Sequence, residues 1–175
     1  MVTDTGWLSN HIRAIEGYPR EGVTFRDITP LLGDADSFRF VIDALVDHFA
    51  GVSYDRVVGV EARGFILAAA VAYRAGASFV PVRKAGKLPW AVAREEYSLE
   101  YGHDQLEIHR DAVLPGERVL IIDDVLATGG TAAATVRLVE GLGATVAGLG
   151  FLIELADLGG RALLEGREIV SLVTY

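Results

Sequence analysis

Apolar side chains recur at two spacings along this chain, and the two spacings alternate. Between residues 37 and 49 they fall three or four positions apart, which predicts an amphipathic helix with Asp36 or Ser37 as its N-cap. Short β-branched runs, such as residues 56–60, predict strands instead. The further predicted elements are helices at 65–73 and 131–142, a short helix at 158–164, and strands at 78–83, 118–122, 145–155 and 169–173. Strands alternating with helices favour an α/β fold with a twisted, mostly parallel sheet flanked by helices.

Residues 84–117 interrupt this alternation. They are rich in charge and carry glycine or proline at five positions: 86, 89, 102, 115 and 116. The composition predicts a long excursion, with room for a hairpin, rather than another unit of the core. Loops of this length in compact domains usually carry function.

Composition narrows the class of protein. A chain of 175 residues suits one domain, spanning residues 1–175. The formal charge of −8 argues against general binding to nucleic acids or anionic membranes. The absence of cysteine excludes disulfides and thiolate metal sites. The longest apolar run, residues 66–73, is shorter than the ~20 residues that cross a bilayer, and the N-terminus lacks a signal-peptide pattern, so we expect a cytoplasmic protein.

The sharpest chemical signal lies in residues 119–131. Four apolar residues predict a buried strand, Asp123 and Asp124 follow at its expected end, and a turn of small residues leads into a helix. Ligands of open α/β sheets bind beyond the carboxyl ends of strands, and a helix N-terminus presents free N–H groups that suit a phosphate. Gly129 and Gly130 allow close backbone approach, and the threonines at 128 and 131 add hydroxyl donors.

The two acids distinguish this segment from a simple phosphate site, because they would repel a phosphate. They suit a ribose, whose hydroxyls donate hydrogen bonds and whose anomeric carbon becomes cationic when its substituent leaves. The alternative is an aspartate pair that caps a plain glycine turn, and either half of the segment alone would favour it. The combination of both halves favours a ribose phosphate site.

Residues 119–131 match the signature of the type I phosphoribosyltransferases, which bind phosphoribosyl pyrophosphate (5-phospho-α-D-ribose 1-diphosphate). The resemblance implies that family's fold, with a small N-terminal hood over residues 1–34 and a mobile lid loop within residues 84–117. It also implies that Asp123 and Asp124 hold the ribose hydroxyls and favour the cation. The residues implied to hold the 5′-phosphate are Ala127, Thr128, Gly129, Gly130 and Thr131.

Other segments resemble the adenine-specific branch of this family. Residues 22–32 are similar to its base-binding segment, which implies that Phe25 stacks on the purine while Thr24 and Arg26 read its edge, with Val125 as a further base contact. Without the resemblance, Phe25 would be read as an ordinary core aromatic.

Two basic segments resemble the family's diphosphate site. Arg63, in a loop between a strand and a helix, is implied to clamp the leaving group, and the peptide between Glu61 and Ala62 is expected to be cis. Lys84 and Lys87, beside Arg83, supply the local positive charge that the acidic chain otherwise lacks. The alternative for this second cluster is a solvated charged turn.

Residues 97–102 resemble the family's mobile lid, with Tyr97 and Tyr101 as lid residues and Glu100 as the candidate acid near purine N7. An exposed loop glutamate is the alternative. Lid closure would keep water away from a reactive cation until the base is in place.

The resemblance therefore implies the reaction of adenine with phosphoribosyl pyrophosphate to give AMP and diphosphate. Mg²⁺ is expected to be held mainly by substrate oxygens and water, with no direct protein ligand, and a homodimer is expected by resemblance alone. One rival is the same chemistry on hypoxanthine, guanine or xanthine. The other is a non-catalytic regulator that senses the phosphoribosyl donor. None of the four histidines is assigned a catalytic or metal role.

Overall fold

The computed structural model describes residues 5–98 and 103–175. The helices are α1 (Thr29–Gly33), α2 (Ala35–His48), α3 (Gly64–Ala75) and α4 (Gly130–Gly141). The strands are β1 (Arg13–Glu16), β2 (Thr24–Asp27), β3 (Arg56–Val60), β4 (Ser78–Lys84), β5 (Val92–Ser98), β6 (His103–His109), β7 (Arg118–Leu126), β8 (Thr145–Glu154) and β9 (Ile169–Thr174). Short 3-10 turns cover Gly6–His11, Ala156–Leu158 and Gly160–Leu164.

A seven-stranded sheet, in the order β5-β6-β4-β3-β7-β8-β9, forms the centre of the molecule. The five strands β4, β3, β7, β8 and β9 are parallel to one another, which confirms the predicted mostly parallel α/β sheet. Successive residues of a strand face opposite sides. Val57 accordingly packs in the core beneath α2 and α3, and Val58 in the core beneath α4.

Strand β7 is longer than the sequence pattern predicts, and this difference shapes the site. The predicted end at Ile122 is wrong, because β7 continues to Leu126. On one side its pairing with β3 does end at Ile122, opposite Gly59. On the other side, pairing with β8 continues as far as Leu126. The two aspartates therefore lie within a strand, at the point where its neighbour β3 has ended.

The segment 84–117 contributes more to the sheet than its composition suggests. Strands β5 and β6 form an antiparallel hairpin, and β6 pairs with the end of β4. Leu106 and Ile108 of β6 are fully buried. The hairpin for which the composition left room is therefore present, but the expectation that the segment lies outside the core is wrong.

The ends of several elements also differ from expectation. The N-cap of α2 is Asp34, whose carboxylate accepts hydrogen bonds from the backbone N–H (2.8 Å) and hydroxyl (2.6 Å) of Ser37. The short helix expected at 158–164 is a pair of 3-10 turns. The antiparallel pair β1-β2 was not predicted. Among the described residues, no helix combines the length and apolar character needed to cross a membrane.

Candidate functional site

A cavity of about 300 Å³ lies where β3 has ended and β7 continues. Its walls come from the turn after β3, the second half of β7 and the loop that precedes α4. It brings together residues that are up to 72 positions apart in the chain, from Val60 to Ala132. The predicted site residues that line it are Arg63, Lys84, Tyr97, Asp123, Asp124, Val125, Ala127, Thr128, Gly129, Gly130 and Thr131.

The loop of residues 127–131, here called the phosphate loop, forms one wall without any charged side chain. Gly129 is the N-cap of α4, with a φ of 82°, and the first turn of the helix contains no acid. Because the first N–H groups of a helix lack partners within it, this end favours an anion. A Cβ on Gly129 would overlap the carbonyl oxygen of Gly160, and one on Gly160 would overlap that of Ala127. Nothing in the sequence pattern pointed to Gly160.

The carboxylates of Asp123 and Asp124 occupy the floor of the cavity. The backbone N–H of Asp124 donates to Oδ1 of Asp123 over 2.9 Å. Asp123 touches the cavity but is otherwise enclosed by protein, and burial raises its pKa well above the usual value, as does the nearby charge of Asp124. Burial also raises the pKa of Asp124, although Arg63 opposes this. A Cβ at Gly64 would lie 2.5 Å from Oδ1 of Asp123, so the start of α3 must be glycine for this packing.

Arg63 reaches the floor from the turn before α3. Its Nε lies 2.9 Å from Oδ2 of Asp124, and its guanidinium carbon lies 5.0 Å from the centroid of the Phe25 ring. The contact with Asp124 lacks hydrogen-bond geometry. Arg63 Nη1 and Asp124 Oδ2 are consequently buried without a hydrogen-bond partner among the described residues. Each of these two atoms therefore lacks the partner that a buried polar atom usually has.

The basic residues beyond Arg63 are paired with carboxylates that the sequence analysis did not single out. Lys84 Nζ lies 3.1 Å from Oδ2 of Asp104. The Arg83 guanidinium donates to both carboxylate oxygens of Glu61 over 3.2 and 3.3 Å. Glu61 also accepts the backbone N–H of Lys84 over 3.0 Å and lines the cavity. Local sequence carries no signal for these pairs, which join positions about 20 residues apart.

Lys87 is not among the residues that line the cavity. Its carbonyl oxygen accepts a hydrogen bond from Nη1 of Arg83 over 3.3 Å, which ties the turn after β4 to the pair of Arg83 and Glu61. The peptide bond between Glu61 and Ala62 is cis, which confirms the expectation.

Two of the four predicted base-binding residues lie at a second cavity, of about 710 Å³. Thr24 and Arg26 line it, and Thr128 lines both cavities, so the two are neighbours. The Arg26 guanidinium stacks 3.7 Å above the ring of Tyr175. Phe25 lines neither cavity and instead contacts Arg63 and Tyr18.

The predicted lid falls partly outside the part of the chain that the structure describes. Glu100 and Tyr101 belong to residues 99–102, which are not described. Tyr97 is buried at the end of β5, and its hydroxyl donates to Oδ2 of Asp104 over 3.2 Å. Burial is the largest influence on the pKa of the Tyr97 hydroxyl and raises it. The hydroxyl also interacts with the side chain of Thr131, which opposes this rise in pKa.

The arrangement can hold an anion, a polyol and a second anion side by side. The neutral helix N-terminus suits a phosphate monoester, the carboxylate pair suits hydroxyls and a developing positive charge, and the basic residues suit a polyanionic leaving group. A phosphorylated sugar with an anionic leaving group fits this order of groups.

Comparison with known proteins agrees with this chemistry. The phosphoribosyl transferase domain family matches residues 35–163. The adenine phosphoribosyltransferase of Paracoccus denitrificans is 56% identical over 174 residues, which cover 98% of this chain and 93% of that protein. Two crystal structures are also similar. That of the Thermoanaerobacter pseudethanolicus adenine phosphoribosyltransferase has a TM-score of 0.95 at 49% identity, covering 98% of this chain and 99% of the other. The Saccharomyces cerevisiae enzyme, complexed with adenine and an imino-altritol bisphosphate, has a TM-score of 0.91 at 39% identity, covering 96% and 97%.

Proposed function

This chain belongs to the adenine phosphoribosyltransferases, and from that premise we propose that its first cavity is the active site. The reaction is the pentosyl transfer of purine salvage, in which adenine and phosphoribosyl pyrophosphate give AMP and diphosphate. The observation that carries the assignment is a single cavity lined by the phosphate loop, the aspartate pair, Arg63 and Lys84.

The proposed mechanism is a dissociative substitution at the anomeric carbon. The phosphate loop binds the 5′-phosphate, and Asp123 and Asp124 accept the ribose hydroxyls and stabilise the positive charge that develops as diphosphate leaves. Arg63, which lines the cavity, donates to the departing diphosphate through its guanidinium N–H groups. Lys84 and Lys87 add positive charge to the same end.

Mg²⁺ is proposed to enter with the diphosphate. The residues fit this ion, because it prefers oxygen ligands and keeps several waters, and two carboxylates face the cavity. Asp123 and Asp124 would hold the ion through its water ligands, with the substrate oxygens as direct ligands. When bound, Mg²⁺ supplies charge neutralisation on the leaving group.

Adenine is proposed to sit between the hood and β7. Thr24 and Arg26 lie at the second cavity, and Val125 lies at the first. The two cavities are adjacent, because Thr128 lines both. The backbone of residues 24–26 would read the base edge. Phe25 lines neither cavity, so its ring must move to stack on the base.

Steady-state release of diphosphate with each purine base tests the function. We expect turnover with adenine and none with hypoxanthine, guanine or xanthine. Turnover with one of those bases but not adenine would identify the other-base rival. Binding of the donor without turnover on any base would identify the regulator.

Glu100 is proposed as the acid that hydrogen-bonds or protonates N7 and makes N9 the nucleophile. Glu100→Ala should lower kcat by about ten- to a hundredfold, because general acid catalysis contributes at least that much, with little change in the KM of the phosphoribosyl donor. Glu100→Gln separates proton donation from hydrogen bonding. An unchanged kcat in Glu100→Ala would remove this assignment.

A homodimer is proposed on the basis of an exposed apolar strip. Ile66 and Tyr73 lie seven positions apart on α3, hence on one face, and are 44% and 91% exposed. Phe79 of β4 is 37% exposed, and its ring contacts that of Phe65 at the start of α3. Contiguous exposed apolar surface of this kind marks interfaces, and twofold pairing of one patch is the commonest form. Ile66→Glu should give a monomer by light scattering, whereas Leu163→Glu, at an exposed position elsewhere, should not.

We also propose one domain over residues 1–175, with the hood at 1–34 and the lid within 84–117, in a cytoplasmic protein. The hairpin β1-β2 supports a separate hood, since its strands pair only with each other within the described residues. The absence of cysteine suits a reducing compartment. Cell fractionation and limited proteolysis with and without the phosphoribosyl donor test these two points.

A further inference from the structure

Asp104 has no role in the mechanism proposed above. It is the partner of Lys84, with 3.1 Å between Nζ and Oδ2, and the same Oδ2 accepts the Tyr97 hydroxyl over 3.2 Å. Its other oxygen, Oδ1, accepts the backbone N–H of Gln105 over 2.8 Å. The carboxylate is therefore held at both oxygens, and its side chain is only 24% exposed, so it is a fixed charge rather than a mobile one.

The position of this charge matters because of what lies on either side. Lys84 and Tyr97 both line the first cavity, and Asp104 contacts both from behind. Tyr97 also interacts with Thr131 of the phosphate loop. A negative charge behind the lysine attracts its ammonium and repels a polyanion that approaches the same ammonium from the cavity.

The protonation states agree with a stable ion pair. The hydrogen bond and charge of Asp104 raise the pKa of Lys84, so the ammonium stays protonated. Burial raises the pKa of Asp104, but the Gln105 N–H and Lys84 outweigh it and the pKa falls below its usual value. Both partners are thus charged at neutral pH.

We propose that Asp104 is a positioning residue that acts as a built-in counter-ion of Lys84 and competes with diphosphate for the lysine ammonium. The inference rests on the proposed active site. When diphosphate occupies the cavity, Lys84 exchanges part of its contact with Asp104 for contact with the ligand. When diphosphate leaves, Asp104 takes the ammonium back, which weakens the hold on the product and helps its release.

Asp104→Asn tests this, because it keeps the shape and a hydrogen-bond acceptor for Tyr97 but removes the charge. Calorimetry with Mg²⁺-diphosphate should show binding tighter by about two- to fivefold, the range for a partly exposed ion pair. Steady-state kcat should fall if product release limits turnover, while the single-turnover rate stays within about twofold of wild type. Asp104→Ser, a smaller uncharged residue, should tighten binding in the same direction.

A double-mutant cycle separates this role from a general effect of charge. In a Lys84→Gln background, Asp104→Asn should tighten diphosphate binding much less, because only the direct repulsion between Asp104 and the ligand is then removed. Asp111→Asn, which removes an exposed carboxylate outside the cavity, is the matched control and should leave the affinity unchanged.

Three results would overturn the inference: unchanged or weaker diphosphate binding in both Asp104 variants, equal tightening in the Lys84→Gln background, or equal tightening in Asp111→Asn. Failure of the proposed active site looks different. In that case the wild-type protein would neither bind diphosphate nor turn over adenine.

Discussion

The two halves of the cavity offer an anion different kinds of partner. The phosphate loop contains no charged side chain and acts through the backbone at the N-terminus of α4. The opposite half, here called the charged side, is built from ionisable groups: Glu61, Arg63, Lys84, Asp123 and Asp124, with Asp104 behind Lys84. Each basic group among them already has a carboxylate neighbour in the absence of ligand.

This difference follows from what happens to each anion in the reaction. In the proposed reaction the 5′-phosphate keeps its charge and its place throughout, so a preformed cradle of fixed dipoles suits it. The leaving diphosphate gains charge in the transition state and then must depart. Basic groups that can move between internal carboxylates and the ligand suit that sequence of binding and release.

The largest expected effect is on the charged side, at Asp123. Asp123→Asn should lower kcat by about 100- to 1000-fold, the usual loss when a group that stabilises transition-state charge is removed. The same change should raise the free energy of unfolding at pH 8 by about 1 kcal/mol, because the folded protein no longer encloses this carboxylate charge. Activity assays and thermal melts measure the two effects.

The stability effect should depend on pH. Because burial raises the pKa of Asp123, the folded protein binds this proton more tightly than the unfolded chain does. The destabilisation by the wild-type carboxylate is therefore present above its raised pKa and fades as the pH falls towards the ordinary aspartate value. Asp36→Asn, at a carboxylate whose side chain is 89% exposed, is the control. Equal melting temperatures for Asp123→Asn and wild type at pH 8 would contradict the expectation.

The next effect concerns the phosphate loop. Gly129→Ala should reduce kcat/KM by about 100-fold. The backbone at this position is left-handed, which a side chain disfavours, and the new Cβ would overlap Gly160. The loop must therefore shift by an amount that misplaces the substrate. Gly166→Ala is a matched control, since Gly166 also has a positive φ, of 77°, but no atom would lie within 4 Å of the new Cβ. Equal losses in both variants would show that backbone strain, and not the shape of the loop, is responsible.

These predictions depend on features that the sequence revealed unequally. The alternation of strands and helices was predictable because hydrophobic periodicity is local. The phosphate loop was recognisable for the same reason, since all its chemistry lies in one continuous segment. The full length of β7 was missed because two aspartates look like a strand end, whereas pairing with β8 carries the strand on to Leu126.

Contacts between distant segments were not predictable in this way. The carboxylate partners Glu61 and Asp104 act on basic residues about 20 positions away, and Gly160 is required only because its backbone meets the phosphate loop. The hairpin β1-β2 left no signal because the residues of β1 are all exposed and so show no alternation. In each case the position of a residue depends on topology rather than on its neighbours in sequence.

A smaller effect is expected when Arg63 keeps its positive charge but loses its planar guanidinium. Arg63→Lys should raise the KM of the phosphoribosyl donor by about tenfold, since a lysine cannot donate through a planar fork or stack on Phe25. Arg74→Lys serves as the control, because Arg74 pairs with Asp43 on the surface and is 58% exposed. If Arg63→Lys retains the wild-type KM, the charged side needs only a positive charge at this position.

The smallest expected effect is that of salt on ligand binding, and it tests the contrast between the phosphate loop and the charged side. Salt screens exposed charges over about 10 Å at 0.1 M ionic strength, and the side chains of Arg63 and Lys84 are 37% and 56% exposed. Raising the salt from about 50 to 200 mM should therefore weaken diphosphate binding by about threefold. Ribose 5-phosphate, which is proposed to bind backbone N–H groups at a site with no charged side chain, should lose less over the same range. Calorimetry on the two ligands gives both slopes. Equal slopes would mean that the 5′-phosphate also depends on the basic residues, and that the division of the cavity into a neutral and a charged half does not describe how it binds its ligands.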